Sequence, residues 1–170
     1  MTVAVIGAGV QGRAFALACA RAGFAVVLED VMPHKLRQAD AEFGPLGRAV
    51  ELVATVEDAV RDADLVIDFV PDELESKLEI WSLIDRMAPP RTVMCTPSEG
   101  LSITDLASCT YRGEKCFAVR GELMEDAVRV LRPRGADAAA VSSVEEFFRG
   151  LGVGVSGEVD SDMPMLVKNL

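Results

Sequence analysis

Residues 3–30 read VAVIGAGVQGRAFALACARAGFAVVLED, and this stretch restricts the fold more than any other. An apolar run, Val3 to Ile6, meets three glycines spaced G-x-G-x-x-G; an alanine-rich helical pattern follows, then a second apolar run ending in an acid. That order is strand, tight turn, helix, strand, the opening unit of a parallel sheet whose helices carry the chain from one strand to the next. Gly7 permits the sharp turn, Gly9 lets the main chain approach a ligand, and Gly12 lets the helix pack closely on the strand. Val10 and Gln11 lie between them, at the positive end of the helix, where free N–H groups attract a pyrophosphate.

Asp30 stands eighteen residues beyond Gly12, close to the ~20 at which a carboxylate receives hydrogen bonds from an adenine ribose. Its charge repels a 2′-phosphate, and Val31, Met32 and Pro33 follow it rather than an arginine. The expected cofactor is therefore NAD and not NADP. FAD in the same turn, or a turn that holds no nucleotide, is the alternative reading. Glu29 also neighbours the site, but alternation along the strand turns it the other way.

Downstream, short apolar runs continue to alternate with helical patterns. Strands are expected at Val3 to Ile6, Ala25 to Leu28, Val50 to Ala54, Leu65 to Val70, Thr92 to Cys95, Cys116 to Val119, Val128 to Leu131 and Val153 to Ser156. Helices are expected at Val10 to Ala22, Pro33 to Glu42, Val56 to Ala63, Glu73 to Met87, Ile103 to Cys109 and Asp137 to Leu151. The fold class is α/β: a Rossmann-type, doubly wound, mostly parallel sheet with helices on both faces. With 170 residues and half of them hydrophobic, one domain over residues 1–162 is expected, followed by a helical tail at 163–170.

A net charge of −10 with no basic run argues against nucleic acid as a partner. No segment approaches the ~20 apolar residues of a membrane span, and the glycine motif begins directly after the first strand without a leader, so a cytoplasmic protein is expected. Cys19, Cys95, Cys109 and Cys116 form no C-x-x-C pair, which speaks against zinc or a disulfide. No metal site is expected. His34, the single histidine, follows the second strand at the adenosine end, a poor place for a catalyst.

Beyond the first 30 residues, EDAVRDADLVIDFVPDELESKLEIWSLIDRMAPP, GLSITDLA and PMLVKNL together with the glycine unit make the chain similar to the NAD-binding domain of 3-hydroxyacyl-CoA dehydrogenases. The resemblance implies that the turn Val70-Pro71-Asp72 and Lys77, five residues after Asp72, lie near the nicotinamide ribose. It also implies contacts that this chain lacks. Where the family reads Asn-Thr-Ser-Ser-Leu, with an asparagine at the cofactor and a serine on the substrate oxygen, this chain reads Pro97-Ser98-Glu99-Gly100-Leu101. Counting onward, the family's catalytic histidine falls on Arg120 and the glutamate that orients it on Arg132.

An arginine stays protonated near neutral pH and cannot take the hydroxyl proton as hydride leaves. The family's helical hairpin for coenzyme A has no room between Asp30 and Ala54, and its helical C-terminal domain is expected to be absent. Candidate catalytic groups therefore reduce to Glu99, Ser98 and Arg120, with Glu99 expected to pair with Arg120. The favoured expectation is an NAD(H)-binding protein impaired in the family's dehydrogenase activity. One alternative is an active oxidoreductase on a small anionic hydroxy or keto substrate, clamped by Arg120 and Arg132. Another is an interaction module that binds no cofactor. The apolar tail Met163 to Leu170 suggests a homodimer, or a separate partner subunit that completes the cleft.

Overall fold

The computed structural model describes residues 1–161. Eight strands, β1 (Thr2–Ile6), β2 (Ala25–Glu29), β3 (Val50–Val53), β4 (Leu65–Asp68), β5 (Val93–Pro97), β6 (Cys116–Arg120), β7 (Ala127–Arg132) and β8 (Gly154–Val159), form one sheet. Their spatial order is β3-β2-β1-β4-β5-β6-β7-β8. Every neighbouring pair is parallel except β6 and β7. Those two are joined by residues 121–126 alone, too short a connection to carry a crossover helix, so the chain turns back on itself.

Six helices cover the sheet: α1 (Val10–Arg21), α2 (Pro33–Phe43), α3 (Val56–Val60), α4 (Leu74–Met87), α5 (Ile103–Ala107) and α6 (Ala138–Gly150). Phe15, Ala16 and Cys19 of α1, Ala39 and Phe43 of α2, and Val144, Phe147 and Phe148 of α6 pack with Val3, Val5, Leu28, Ile67 and Val119 on one face. Val56 and Val60 of α3, Trp81 and Ile84 of α4, and Ile103 and Leu106 of α5 pack with Ala4, Ile6, Val66, Met94 and Ala118 on the other. This is the doubly wound arrangement expected from the alternating pattern. The central strands are buried on both sides, hence their nearly continuous apolar sequence.

Side-chain caps start three helices: Thr55 accepts from Asp58 N, Ser102 from Asp105 N and Asp137 from Ala140 N. Such caps satisfy N–H groups that a helix start leaves open. Three of the four cysteines are core residues; burial pushes the Cys19 and Cys116 thiols up to about 12 and Cys95 higher still. A thiol held protonated in this way is inert. The tail expected at 163–170, on which the expected homodimer rests, lies outside the described residues. Among the described residues, no helix is long and apolar enough to cross a membrane and no cluster of His, Cys, Asp and Glu could hold a metal ion.

Candidate cofactor site

The strand order reverses at β1, which has β2 on one side and β4 on the other. Ligands of open α/β sheets bind outside the carboxyl ends of the strands at this switch point. Gly7 sits there with φ +101°, in the left-handed region that glycine tolerates and a side chain resists. Its N–H donates to the Glu29 carbonyl at 2.8 Å, which ties the loop to the end of β2.

α1 begins with Gly9 as its cap residue, and neither a capping side chain nor an acid occupies its first turn. The first helical bond of the turn runs from Arg13 N to Gly9 O. The N–H groups of Val10, Gln11 and Gly12 thus have no acceptor among the described residues and face the loop mouth. A Cβ built on Gly9 would meet nothing within 4 Å. Open space above free N–H groups is what a pyrophosphate requires, so the chain's own residues fit the diphosphate of a dinucleotide.

Asp30, 6% exposed, is held from two sides. Its Oδ2 accepts the Ala8 N–H at 2.9 Å and its Oδ1 the Met32 N–H at 2.9 Å. Lys35 Nζ stands 3.6 Å from Oδ2. The carboxylate is therefore fixed beside the glycine loop, where the adenine ribose of a bound dinucleotide would lie. Val31 and Met32, both exposed, offer an apolar surface for the adenine at the same end. Sequence reasoning passed over Arg13, which is buried and donates through Nη1 to Ala8 O at 2.9 Å while its other nitrogens bind Glu42. Its place directly after Gly12 was the available signal, since a cation on the first helical turn has the loop carbonyls within reach.

Glu29, expected to turn away from the site, is 3% exposed. Burial foremost, and then the neighbouring Asp30 charge, push its carboxyl from 4.5 up to about 7, against a smaller opposing pull from the Gly7 backbone. In the folded protein this group keeps a proton between pH 4.5 and 7 that the unfolded chain releases. The associated stability is complete at the acid end of that window and is lost as pH rises through 7. Glu29→Gln is expected to melt with the parent at pH 4.5 and to exceed it at pH 8 by about 3 kcal/mol. Thermal unfolding at the two pH values checks this, and equal differences at both would contradict it.

The other half of the cleft is a cavity of about 380 Å³ lined by Gln11, Phe15 and Phe69 at its floor, Pro97, Ser98 and Glu99 after β5, and Glu122, Leu123, Met124 and Glu125 from the β6–β7 turn. Phe15 and Phe69 pack with ring centroids 5.3 Å apart. The antiparallel return of β7 is what folds residues 121–126 over this end; the sequence pattern had marked the strands without revealing that lip. Asp72 also lines the cavity, and its Oδ2 accepts the Glu99 N–H at 3.2 Å. Val70 and Pro71 lead into it from the end of β4.

Several expectations need correction. Lys77 is 1% exposed, and its ammonium pairs with Asp68 Oδ2 at 2.9 Å while Trp81 Nε1 donates to Asp68 Oδ1 at 2.9 Å. It is committed to the core, on the α4 face, and is not among the residues that line the cleft. Glu99 does not pair with Arg120; its Oε1 accepts the Gly121 N–H at 2.9 Å instead.

Arg120 follows Val119, which lines the cavity, so alternation sends Arg120 to the opposite face with Ala118. Its Nε is buried there without a hydrogen-bond partner among the described residues. Arg132 lies three residues past Arg129, the cross-strand partner of Arg120, which separates the two backbones by roughly 10 Å along the strands. Arg132 also lies two residues past Val130, the partner of Val119, and so emerges on the face opposite to Arg120; the two cannot form one clamp. Among the described residues no lysine, arginine or histidine lines the cavity, whereas Asp72, Glu99, Glu122 and Glu125 do, and these acids oppose an anionic substrate there. His34, at the start of α2, is remote from this end, as expected.

The family model for the NAD-binding domain of 3-hydroxyacyl-CoA dehydrogenase matches residues 2–46 and 40–152. A 3-hydroxybutyryl-CoA dehydrogenase of Bradyrhizobium diazoefficiens is 31% identical over 98% of this chain and 63% of its own length. A probable 3-hydroxybutyryl-CoA dehydrogenase of Bacillus subtilis is 28% identical over 69% of this chain and 47% of that protein. The structure of a 3-hydroxyacyl-CoA dehydrogenase from Archaeoglobus fulgidus superposes with a TM-score of 0.84 at 28% identity, over 99% of this chain and 59% of that one. The chain thus spans about half to two thirds of the length of the relatives it matches. Its glycine turn, fixed Asp30 and switch-point cleft agree with the family match over nearly the whole described chain: it belongs to the NAD-binding domain family of the 3-hydroxyacyl-CoA dehydrogenases.

Proposed function

We propose that this chain holds NAD with the adenine ribose on Asp30, the pyrophosphate on the N–H groups of Val10, Gln11 and Gly12, and the nicotinamide over Phe69, Pro97 and Ser98, and that it does not itself furnish the family's proton acceptor. NAD supplies a hydride acceptor when bound. A hydroxyl substrate would also need a group on the protein to receive its proton. The observation that carries the second half of the proposal is the lining of the nicotinamide end, which includes four carboxylic residues, one serine and no histidine. The position that the resemblance assigned to the histidine is Arg120, whose strand neighbour Val119 takes the place on the cleft wall.

The test is NADH formation, followed by absorbance, from 3-hydroxybutyryl-CoA and NAD at saturating cofactor. A missing general base costs on the order of 10²–10⁴ in rate, so turnover is expected at least roughly a hundredfold below that of a relative that carries the histidine. Steady turnover that Glu99→Gln abolishes would overturn the reading and make Glu99 the base. In that event the oxidoreductase alternative holds, with a substrate that tolerates an acidic site.

A further inference from the structure

We infer that the nicotinamide end of the cleft selects a positively charged ring, so that the chain binds oxidised NAD more tightly than reduced NADH. The inference rests on the cofactor reading above and adds to it a preference between redox forms. The charge of the cavity carries the preference, and a second feature argues that a nicotinamide lies there.

The first is the sign of its charge. Among the described residues, Asp72, Glu99, Glu122 and Glu125 line the cavity and no cation does. Among the described residues, Arg13 is spent on Ala8 O and Glu42, Lys35 lies beside Asp30 at the adenosine end, Lys77 is spent on Asp68 in the core, and Arg120, between the lining residues Val119 and Gly121, emerges on the opposite face of β6. Glu122 and Glu125, on the lip, make no ion pair and no side-chain hydrogen bond among the described residues. Both are exposed at the rim of the cavity. The oxidised nicotinamide ring carries a positive charge and the reduced ring none, while ribose, pyrophosphate and adenosine are the same in both. Only the ring's charge distinguishes the two forms electrostatically, and the lining favours the charged one.

The second is Ser98, which is 3% exposed and lines the same cavity. Its Oγ accepts the Leu101 N–H at 3.0 Å, and its own hydroxyl proton meets no acceptor among the described residues. A hydroxyl that has accepted one bond and faces the cavity keeps its proton to donate to an acceptor on a guest. The carboxamide oxygen of a nicotinamide is such an acceptor. A guest that pairs a cationic ring with a carbonyl oxygen satisfies both features at once. NADH satisfies only the second.

Calorimetric titration of the protein with NAD, NADH and ADP-ribose tests this. At about 20 mM ionic strength NAD is expected to bind at least roughly tenfold more tightly than NADH. Near 0.5 M salt, where the screening length falls to a few ångströms, the ratio is expected to shrink to about threefold or less. The double variant Glu122→Gln, Glu125→Gln is expected to bring the low-salt ratio down to about threefold as well, with ADP-ribose bound as by the parent. Equal or tighter binding of NADH by the parent at low salt would overturn the inference, as would a ratio that the double variant leaves unchanged. Binding of none of the three ligands would overturn the cofactor reading itself, and this inference with it.

Discussion

Alanine at position 12 is expected to abolish NAD binding and to lower the stability of the whole domain. A Cβ on Gly12 would be driven into the carbonyl oxygen of Gly7, with the Gly7 carbonyl carbon at 3.0 Å behind it. Neither atom can retreat, because Gly7 is anchored through its N–H to Glu29 O and itself lies 3.4 Å, measured from an ideal Cβ, from the Phe69 backbone. Relief therefore requires α1 to move off β1, which opens the packing of Phe15 and Ala16 in the core. Loss of such core contacts costs about 2–5 kcal/mol.

The companion variant is Gly9→Ala. Gly9 has φ −69° and ψ −175°, which alanine adopts freely, and open space above it. Its methyl group would occupy the space assigned to the pyrophosphate. Gly9→Ala is expected to melt within about 0.5 kcal/mol of the parent and still to bind NAD at least tenfold more weakly. Melting curves and calorimetry on both variants separate a glycine required by the fold from one required by the ligand. Undiminished NAD binding by Gly9→Ala would contradict the placement of the pyrophosphate.

Arg112→Ala is expected to be the most damaging change away from the cleft. The guanidinium is 8% exposed. It donates through Nε to Asp85 Oδ1 at 2.7 Å, through Nη1 to Pro89 O at 2.6 Å and Thr92 O at 3.3 Å, and through Nη2 to Asp85 O at 2.9 Å and Ala88 O at 3.1 Å. It thereby closes the carboxyl end of α4 and fastens it to the start of β5. Removal leaves the buried Asp85 carboxylate with the Tyr111 N–H alone, together with carbonyls that water reaches poorly. Breaking one side of a buried pair costs about 3–5 kcal/mol. For a chain of this size that corresponds to a melting point about 10 °C lower.

Arg112→Lys keeps the charge but lacks the planar fork that reaches several acceptors at once. It is expected to recover less than half of the loss. Full recovery by lysine would show that charge, and not the fork, holds the α4 end.

The elements were legible because the apolar runs of this sequence are short and punctuated by Gly, Pro and acids, and strand ends differ from expectation by only one or two residues. The exception is β8, which reaches Val159 where Ser156 had been expected as its end. Asp30 was legible for a simple reason: its distance from Gly12 is set by one helix and one strand of fixed rise. Lys77 was misread although a signal existed. Lys77, Trp81 and Ile84 stand at spacings of four and three along α4, and all three are buried, so the helical stripe itself placed the lysine inward with Trp81.

Asp68 hid its partnership for a different reason. An acid inside the apolar run Leu65 to Val70 is passed over in reading that run as one strand, and only the sheet brings it over α4 as an acceptor. The arginines could not be placed by counting residues. Counting carries a family's positions along the chain, but the side on which Arg120 emerges depends on strand alternation, and the distance to Arg132 depends on β7 running antiparallel. Neither quantity is contained in a residue number. The same reversal created the acidic lip, which no local pattern in GELMED announces.

The glycine turn, Asp30 and the cavity beyond Phe69 are proposed to form one dinucleotide cleft. Calorimetric titration of the parent chain with NAD at low ionic strength is expected to show saturable binding of one NAD per chain, weakened at least tenfold by Gly9→Ala. The absence of saturable heat up to millimolar NAD, or equal binding by the parent and Gly9→Ala, would contradict it.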